Sequence, residues 1–257
     1  MAGPASICER HQVLGMPVDV CSDVLEAAVQ LHRSGGGQLV TLNAEMTMTA
    51  LALPDLGRVI RGADLVVPDG AGVVWALARQ GMRVRRSPGI ELAHDLLLHA
   101  ARNNWRVALV GGSAAVMASL LQLLPQRHPG LQLVMALHGY QPAEVWPELE
   151  RQLHELKPDL VLAALGVPRQ ETWIERLRAG QPGLWMGVGG SFDVWSGHKQ
   201  RAPLWMGKLQ IEWLYRLLQE PSRWRRMLAL PRFAWAVLSE NPRKLAKQKQ
   251  ATRKTEG

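Results

Sequence analysis

The sequence predicts an α/β fold: a Rossmann-like parallel sheet flanked by helices, followed by a C-terminal helical appendage. Three observations carry this. Short runs rich in Val and Leu recur through residues 1–202 without polar–apolar alternation, as strands buried on both faces do. The segments between them carry apolar residues at helical spacing, and strand–helix alternation builds a sheet covered by helices. After Pro203 the strand-like runs stop and only helical patterns remain.

In chain order the expected strands are Leu39–Leu42, Leu65–Val67, Val107–Val110, Leu131–Met135, Leu160–Leu165 and Leu184–Val188. Leu92, Leu96, Leu97 and Ala100 mark one intervening helix; Val116, Leu120, Leu121 and Leu124 mark another. Most runs end in turn chemistry: Thr41-Leu42-Asn43, Pro68-Asp69-Gly70, Gly111-Gly112-Ser113, Gly166-Val167-Pro168 and Gly189-Gly190-Ser191. Ligands of open parallel sheets bind beyond the carboxyl ends of the strands, so these turns are expected to gather along one edge. In the appendage, Met206, Leu209, Trp213, Leu214, Leu217 and Leu218 form an apolar helical stripe. A second helix is expected to start at Pro221, a favoured first position, and to kink or end at Pro231. The expected division is a body of residues 1–202 and an appendage of residues 203–257, with 241–257 a solvated, flexible basic end.

Composition narrows the function classes. At 47% hydrophobic and 20% charged, the 257-residue chain has the makeup of a soluble globular protein. The N-terminal MAGPASICERHQ has no apolar core of signal-peptide length, and no apolar run reaches the ~18 residues that span a bilayer. Cys8 and Cys21 are too few for a disulfide framework and are expected to be ordinary thiols in a reducing cytosol. Charge is uneven. Residues 201–257 hold 13 Lys/Arg against 4 Asp/Glu, a net of +9 in a chain whose total is +8, so the body is nearly neutral. Trp205, Trp213, Trp224 and Trp235 lie in the same stretch. A basic, Trp-rich tail fits an anionic partner, and nucleic acid or an acidic membrane surface would both serve.

Asp69 is the first candidate for chemistry. It follows an apolar run and precedes Gly70, so it belongs to a strand-end turn. A carboxylate there serves either as a general base toward a hydroxyl or as an N-cap of the helix near Ala71. Thr41, Asn43 and Glu45, at the end of the first run, either bind a ligand or cap the next helix. Gly111-Gly112-Ser113 resembles a phosphate-cradling turn but lacks the full dinucleotide fingerprint. Arg169 and Gln170 fall in the first turn of a helix after Pro168, where an Arg works against the helix dipole and an anionic ligand would offset that. Asp193 and His198 follow the last run. No Cys/His cluster has zinc spacing, and no Asp-x-Asp pair stands at a strand end, so a metal-independent site without a cofactor is expected.

These segments resemble the WecG/TagA/CpsF family of bacterial glycosyltransferases. The resemblance is carried by TLNAEM (41–46), ADLVVPDGAGVV (63–74), LGVPRQETW (165–173), GVGGSFDVWSGHKQRAP (187–203) and EWLYRLLQEPSRWRR (212–226), in the family's order. It implies inverting transfer of a sugar, typically N-acetylmannosamine or its uronic acid, from a UDP-sugar. The implied acceptor is a polyprenyl-diphosphate-linked N-acetylglucosamine at the cytoplasmic membrane face. The implied products are wall teichoic acid linkage units, enterobacterial common antigen or exopolysaccharide. It further implies Asp69 as catalytic base, Thr41 and Asn43 as the polar pair beside it, and Arg86 and Gln170 as substrate-binding residues. Arg216, Arg223 and Arg226 are implied to contact a diphosphate. Their spacing of 7 and 3 residues puts them on one helical face if the helix continues through Pro221. Arginines can then stabilise leaving UDP where other transferases use a metal. The chain departs from the pattern at Glu91, Val167, Gln210 and Ser87-Pro88, which bears on sugar choice, since some members of the family use glucose.

The resemblance favours an anionic membrane surface over nucleic acid as the tail's partner, with peripheral attachment at the inner face of the plasma membrane. Two other readings stand beside it. A nucleic-acid-binding α/β protein is suggested by charge alone. A nucleotide-dependent oxidoreductase or epimerase is suggested by the strand–Gly-Gly–helix turn.

Overall fold

The computed structural model describes residues 7–203, 205–206, 212–221 and 224–240, apart from the side chains of Glu212 and Arg216. Its centre is a six-stranded, wholly parallel sheet. The strands are β3 (Gly37–Leu42), β4 (Leu65–Pro68), β5 (Arg106–Gly111), β6 (Gln132–Leu137), β7 (Leu160–Ala164) and β8 (Leu184–Gly187). Their spatial order is β4-β3-β8-β7-β5-β6. All six expected runs are strands, and the α/β class holds.

Side chains alternate through the sheet and feed two apolar layers. On one face Leu39, Leu65, Val67, Leu109, Leu162 and Met186 meet α1 (Val24–Arg33), α5 (Gly89–Arg102) and α6 (Ala114–Arg127). On the other, Val40, Leu42 and Val66 meet α2 (Ala44–Ala52), α3 (Pro54–Arg61) and α4 (Ala71–Arg79). Val161, Ala163 and Trp185 of that face meet α7 (Trp146–Leu156) and α8 (Arg169–Leu177). Leu92, Leu96, Leu97 and Ala100 are buried as their spacing requires. Leu121 departs from expectation and is exposed, because α6 turns Val116, Met117, Leu120 and Leu124 inward and Leu121 lies off that face.

An N-terminal hairpin absent from the expected elements covers the β4 edge. β1 (Cys8–Val13) pairs antiparallel with β2 (Met16–Cys21). Leu14 and Gly15, with φ of 50° and 75°, form the two-residue turn. Asp19, almost fully buried, accepts from the Val66 N–H at 2.7 Å and from Arg10 Nε at 2.7 Å; Arg10 also donates to the Asp64 carbonyl. The edge strand's free N–H is thereby occupied rather than left open for pairing.

The cysteines correct the sequence expectation. Cys8 and Cys21 form a disulfide rather than two thiols. They are the outermost register pair of the hairpin, and this pairing brings their Cα atoms to 4.0 Å.

The appendage contributes helices at Glu212–Gln219, Trp224–Met227 and Ala229–Ser239. The first ends at Gln219, before Pro221, so the condition for the single-face arrangement, a helix running through Pro221, is not met. Pro231 neither kinks nor ends a helix. It lies in the first turn of Ala229–Ser239, where its missing N–H has no intrahelical partner to lose. That helix inserts Phe233 and Val237, one turn apart, among the apolar residues of α2 and α4. Of the expected apolar stripe Met206 is buried, while Trp213, Leu214 and Leu218 stay exposed, as do Trp224, Trp235 and Leu238 beyond it. Among the described residues no helix is long and apolar enough to cross a membrane. The expected flexible end, 241–257, and Leu209 lie outside the described residues.

Candidate active site

Along the carboxyl edge of the sheet runs a cleft of about 1240 Å³. All five strand-end turns contribute to it, as the rule for open parallel sheets requires.

Asp69 lies in the turn after β4, and its N–H donates to the Leu42 carbonyl at 2.8 Å, fastening that turn to the end of β3. The N-cap of α4 is Gly70, with φ 89° and ψ 154°, a conformation open to glycine; no side chain caps this helix. Asp69 therefore precedes the N-cap position rather than occupying it. Asn43 is a cap: its Oδ1 accepts from the Met46 N–H at 2.9 Å and starts α2. Asn43 also lines the cleft, so capping fixes its position there. Thr41 is nearly buried behind it. A Cβ at Gly89 would lie 2.8 Å from Thr41 Oγ1, so the absence of a side chain lets the first turn of α5 close against this strand end.

The segment leading into α5 is held by the Ser87 N–H, which donates to the Pro68 carbonyl at 2.8 Å. This puts Arg86, half-buried, beside the strand that presents Asp69, although it is not among the described residues lining the cleft.

Gln170 lines the opposite wall with its side chain committed to protein. Its Oε1 accepts from the N–H groups of Gly166 and Gly189, each at 3.2 Å, and its Nε2 donates to Glu171 Oε1 at 2.7 Å. It thus joins the turns after β7 and β8. Arg169 sits 5.3 Å from the centre of the Trp146 ring, a cation–π contact that offsets its unfavourable place at a helix start.

The appendage closes one side. Gln219, Glu220, Arg225, Arg226, Ala229 and Arg232 line the cleft. Arg226 reaches Glu45 at 3.8 Å. Tyr215 donates to Gln200 Oε1 at 3.3 Å, and Gln219 Nε2 to the Gln200 carbonyl at 3.2 Å. Lys199 pairs with Glu220 and with Asp193. Burial lowers the Lys199 pKa, but the hydrogen bonds and charges of these two carboxylates outweigh it, and the net direction is upward.

The structure therefore brings Thr41, Asn43, Asp69, Gln170 and Arg226 to one cleft and leaves Arg86 beside the end of β4, outside the described lining. The Arg216 side chain and the whole of Arg223 lie outside the described residues. Sequence reasoning missed Arg232, hidden by the expectation that a helix stops at Pro231, and the Lys199–Glu220 pair, which lies 21 positions apart in the chain.

The pattern describing the Glycosyl transferase WecG/TagA/CpsF family matches residues 11–247. An N-acetylglucosaminyldiphosphoundecaprenol N-acetyl-beta-D-mannosaminyltransferase of Bacillus spizizenii is 36% identical over 210 residues, 81% of each chain. A relative of the same name from Bacillus subtilis is 34% identical over 211 residues, covering 81% of this chain and 82% of that protein.

Proposed function

This chain belongs to the WecG/TagA/CpsF family of glycosyltransferases, and from that premise we propose that it moves N-acetylmannosamine from a UDP-sugar to a polyprenyl-diphosphate-linked N-acetylglucosamine. The observation that carries the reading is the place of Asp69: a carboxylate at a strand end in the cleft, lined also by Asn43 and Thr41, one position before the N-cap Gly70.

In an inverting transfer the acceptor hydroxyl attacks the anomeric carbon from the face opposite UDP and loses its proton as the bond forms. Asp69 takes that proton, a contribution of roughly 10²–10⁴ in rate. Asn43 and Thr41 orient the sugar, and Gln170 fixes the backbone turns against which the donor lies. Arg86 and the appendage arginines Arg216, Arg223 and Arg226 oppose the negative charge of the diphosphates, each fork engaging two oxygens. The appendage rests on an anionic membrane surface, where a lipid-linked acceptor resides. Its exposed Trp213, Trp224 and Trp235 suit the interface, and its net positive charge suits acidic headgroups.

The test is a screen of UDP-sugars by release of UDP, with a short polyprenyl-diphosphate-N-acetylglucosamine as acceptor. Release that depends on the acceptor and is fastest with UDP-N-acetylmannosamine is expected. Preference for UDP-glucose or UDP-N-acetylmannosaminuronic acid would move the donor assignment, and acceptor-independent release alone would remove the transfer reading.

A further inference from the structure

Behind the cleft wall Gln170 continues into a buried polar chain whose other members, Glu171 and Gln38, have no part in the chemistry described above. Glu171 and Gln170 are each 2% exposed, and Gln38 of β3 is fully buried. Gln38 Nε2 donates to the Glu171 carbonyl at 3.2 Å, and Gln170 Nε2 donates to Glu171 Oε1 at 2.7 Å. The side chains press on the β8 backbone: a Cβ at Gly187 would lie 2.4 Å from Gln170 Nε2 and 3.0 Å from Glu171 Oε1. With its amide nitrogen held by Glu171, Gln170 turns its carbonyl to the N–H groups of Gly166 and Gly189.

Two buried oxygens have no donor among the described residues: Glu171 Oε2 and Gln38 Oε1. Both only accept while Glu171 is ionised, and one added proton supplies a donor. Among the described residues no cation pairs with this carboxylate instead. β3, β7 and β8 read GQLVTL, LVLAA and LWMG, without a charged side chain. On α8, Arg169 lies over Trp146, Glu175 pairs with Arg58 of α3, and Arg176 pairs with Glu150 of α7. Asp55 and Arg61 of α3 are exposed, His154 of α7 contacts the Leu177 carbonyl, and Arg178 pairs with Asp64. No ion pair to Glu171 occurs among the described residues.

We infer that Glu171 is a neutral carboxylic acid and a positioning residue for transfer, holding Gln170 so that its carbonyl clamps the turns after β7 and β8. Burial in this apolar layer pushes the Glu171 carboxyl up to about 7, in keeping with a retained proton. The kinetic part rests on the transfer reaction proposed above; the protonation state does not.

The test compares Glu171→Gln and Glu171→Ala in the full chain. Glutamine keeps an acceptor for Gln170 and carries an amide donor in the place of the proton at every pH; alanine removes both. The expected result is near-native kcat for Glu171→Gln and a loss of roughly 10- to 100-fold for Glu171→Ala, the size of effect that misplacement of a cleft wall produces. On raising the pH past about 7, wild-type kcat should fall relative to Glu171→Gln. An infrared difference spectrum, wild type minus Glu171→Gln, should show the C=O stretch of a protonated carboxyl at about pH 6 that fades by about pH 8. Absence of that band overturns the neutral acid, and so does a folded Glu171→Gln as inactive as Glu171→Ala. Native activity in Glu171→Ala overturns the positioning role. If Glu171→Ala does not fold, the Glu171→Gln rate and the band decide. If the wild type transfers no sugar, the functional reading fails, while the band still decides the state of Glu171.

Discussion

Glu171 couples the stability of the fold to pH in a direction unusual for a carboxylate. Its folded-state pKa, about 7, lies above the ordinary 4.5 of the unfolded chain. Below 4.5 both states hold the proton and nothing is lost. Between 4.5 and 7 the unfolded chain ionises while the folded one does not, so stability falls as pH rises and stays reduced above 7. A shift of this size corresponds to about 3 kcal/mol. Urea unfolding at about pH 5 and pH 8 should show the wild type losing most of that, about 2.5 kcal/mol, relative to Glu171→Gln; parallel curves would contradict it. A second residue-scale prediction concerns Gly89. Its alanine variant forces a methyl against Thr41 Oγ1 and should cost about 1–3 kcal/mol by thermal melt, with a slower enzyme because Thr41 shifts. Asp69 and Asn43 were legible in the sequence as strand-end polar residues. Which of them caps a helix was not, because that depends on the backbone conformation at Gly70 and Asn43, which one residue type leaves open.

The six parallel strands declare themselves through uninterrupted apolar runs, since both faces of that sheet are covered. The hairpin β1–β2 does not. One of its faces carries the register pair Arg10 and Asp19 while Glu9 stands on the other, and its turn is Leu14-Gly15 rather than a recognised Asn-Gly or Asp-Gly pair. Its identity emerges only when Asp19 meets Val66 across 47 positions. The same hairpin turns two scattered cysteines into register partners. Thiol titration of the denatured, unreduced protein should therefore find no free thiol, and two thiols per chain would return the cysteines to the reading that composition suggests. Pro231 shows the complementary error: proline ends a helix in its interior but is tolerated in a first turn, and the start at Ala229 cannot be seen from Pro231 alone.

At the scale of the molecule, a nearly neutral α/β body presents strand-end turns to a cleft, and a positively charged appendage completes one wall of it. Phe233 and Val237 dock the last helix into the body's own apolar layer, while the tryptophans of the appendage face outward. One segment therefore lines the cleft while turning its tryptophans outward, an arrangement invisible in charge counts, which register only that the tail is basic. The central claim is that Asp69 takes the acceptor's proton in an inverting transfer within this cleft. Its most direct test measures transfer from UDP-N-acetylmannosamine to polyprenyl-diphosphate-N-acetylglucosamine by wild type and Asp69→Asn, with UDP affinity of both by calorimetry. The account predicts unchanged UDP affinity and a rate lower by roughly 10²–10⁴. Turnover by Asp69→Asn at the wild-type rate would contradict it.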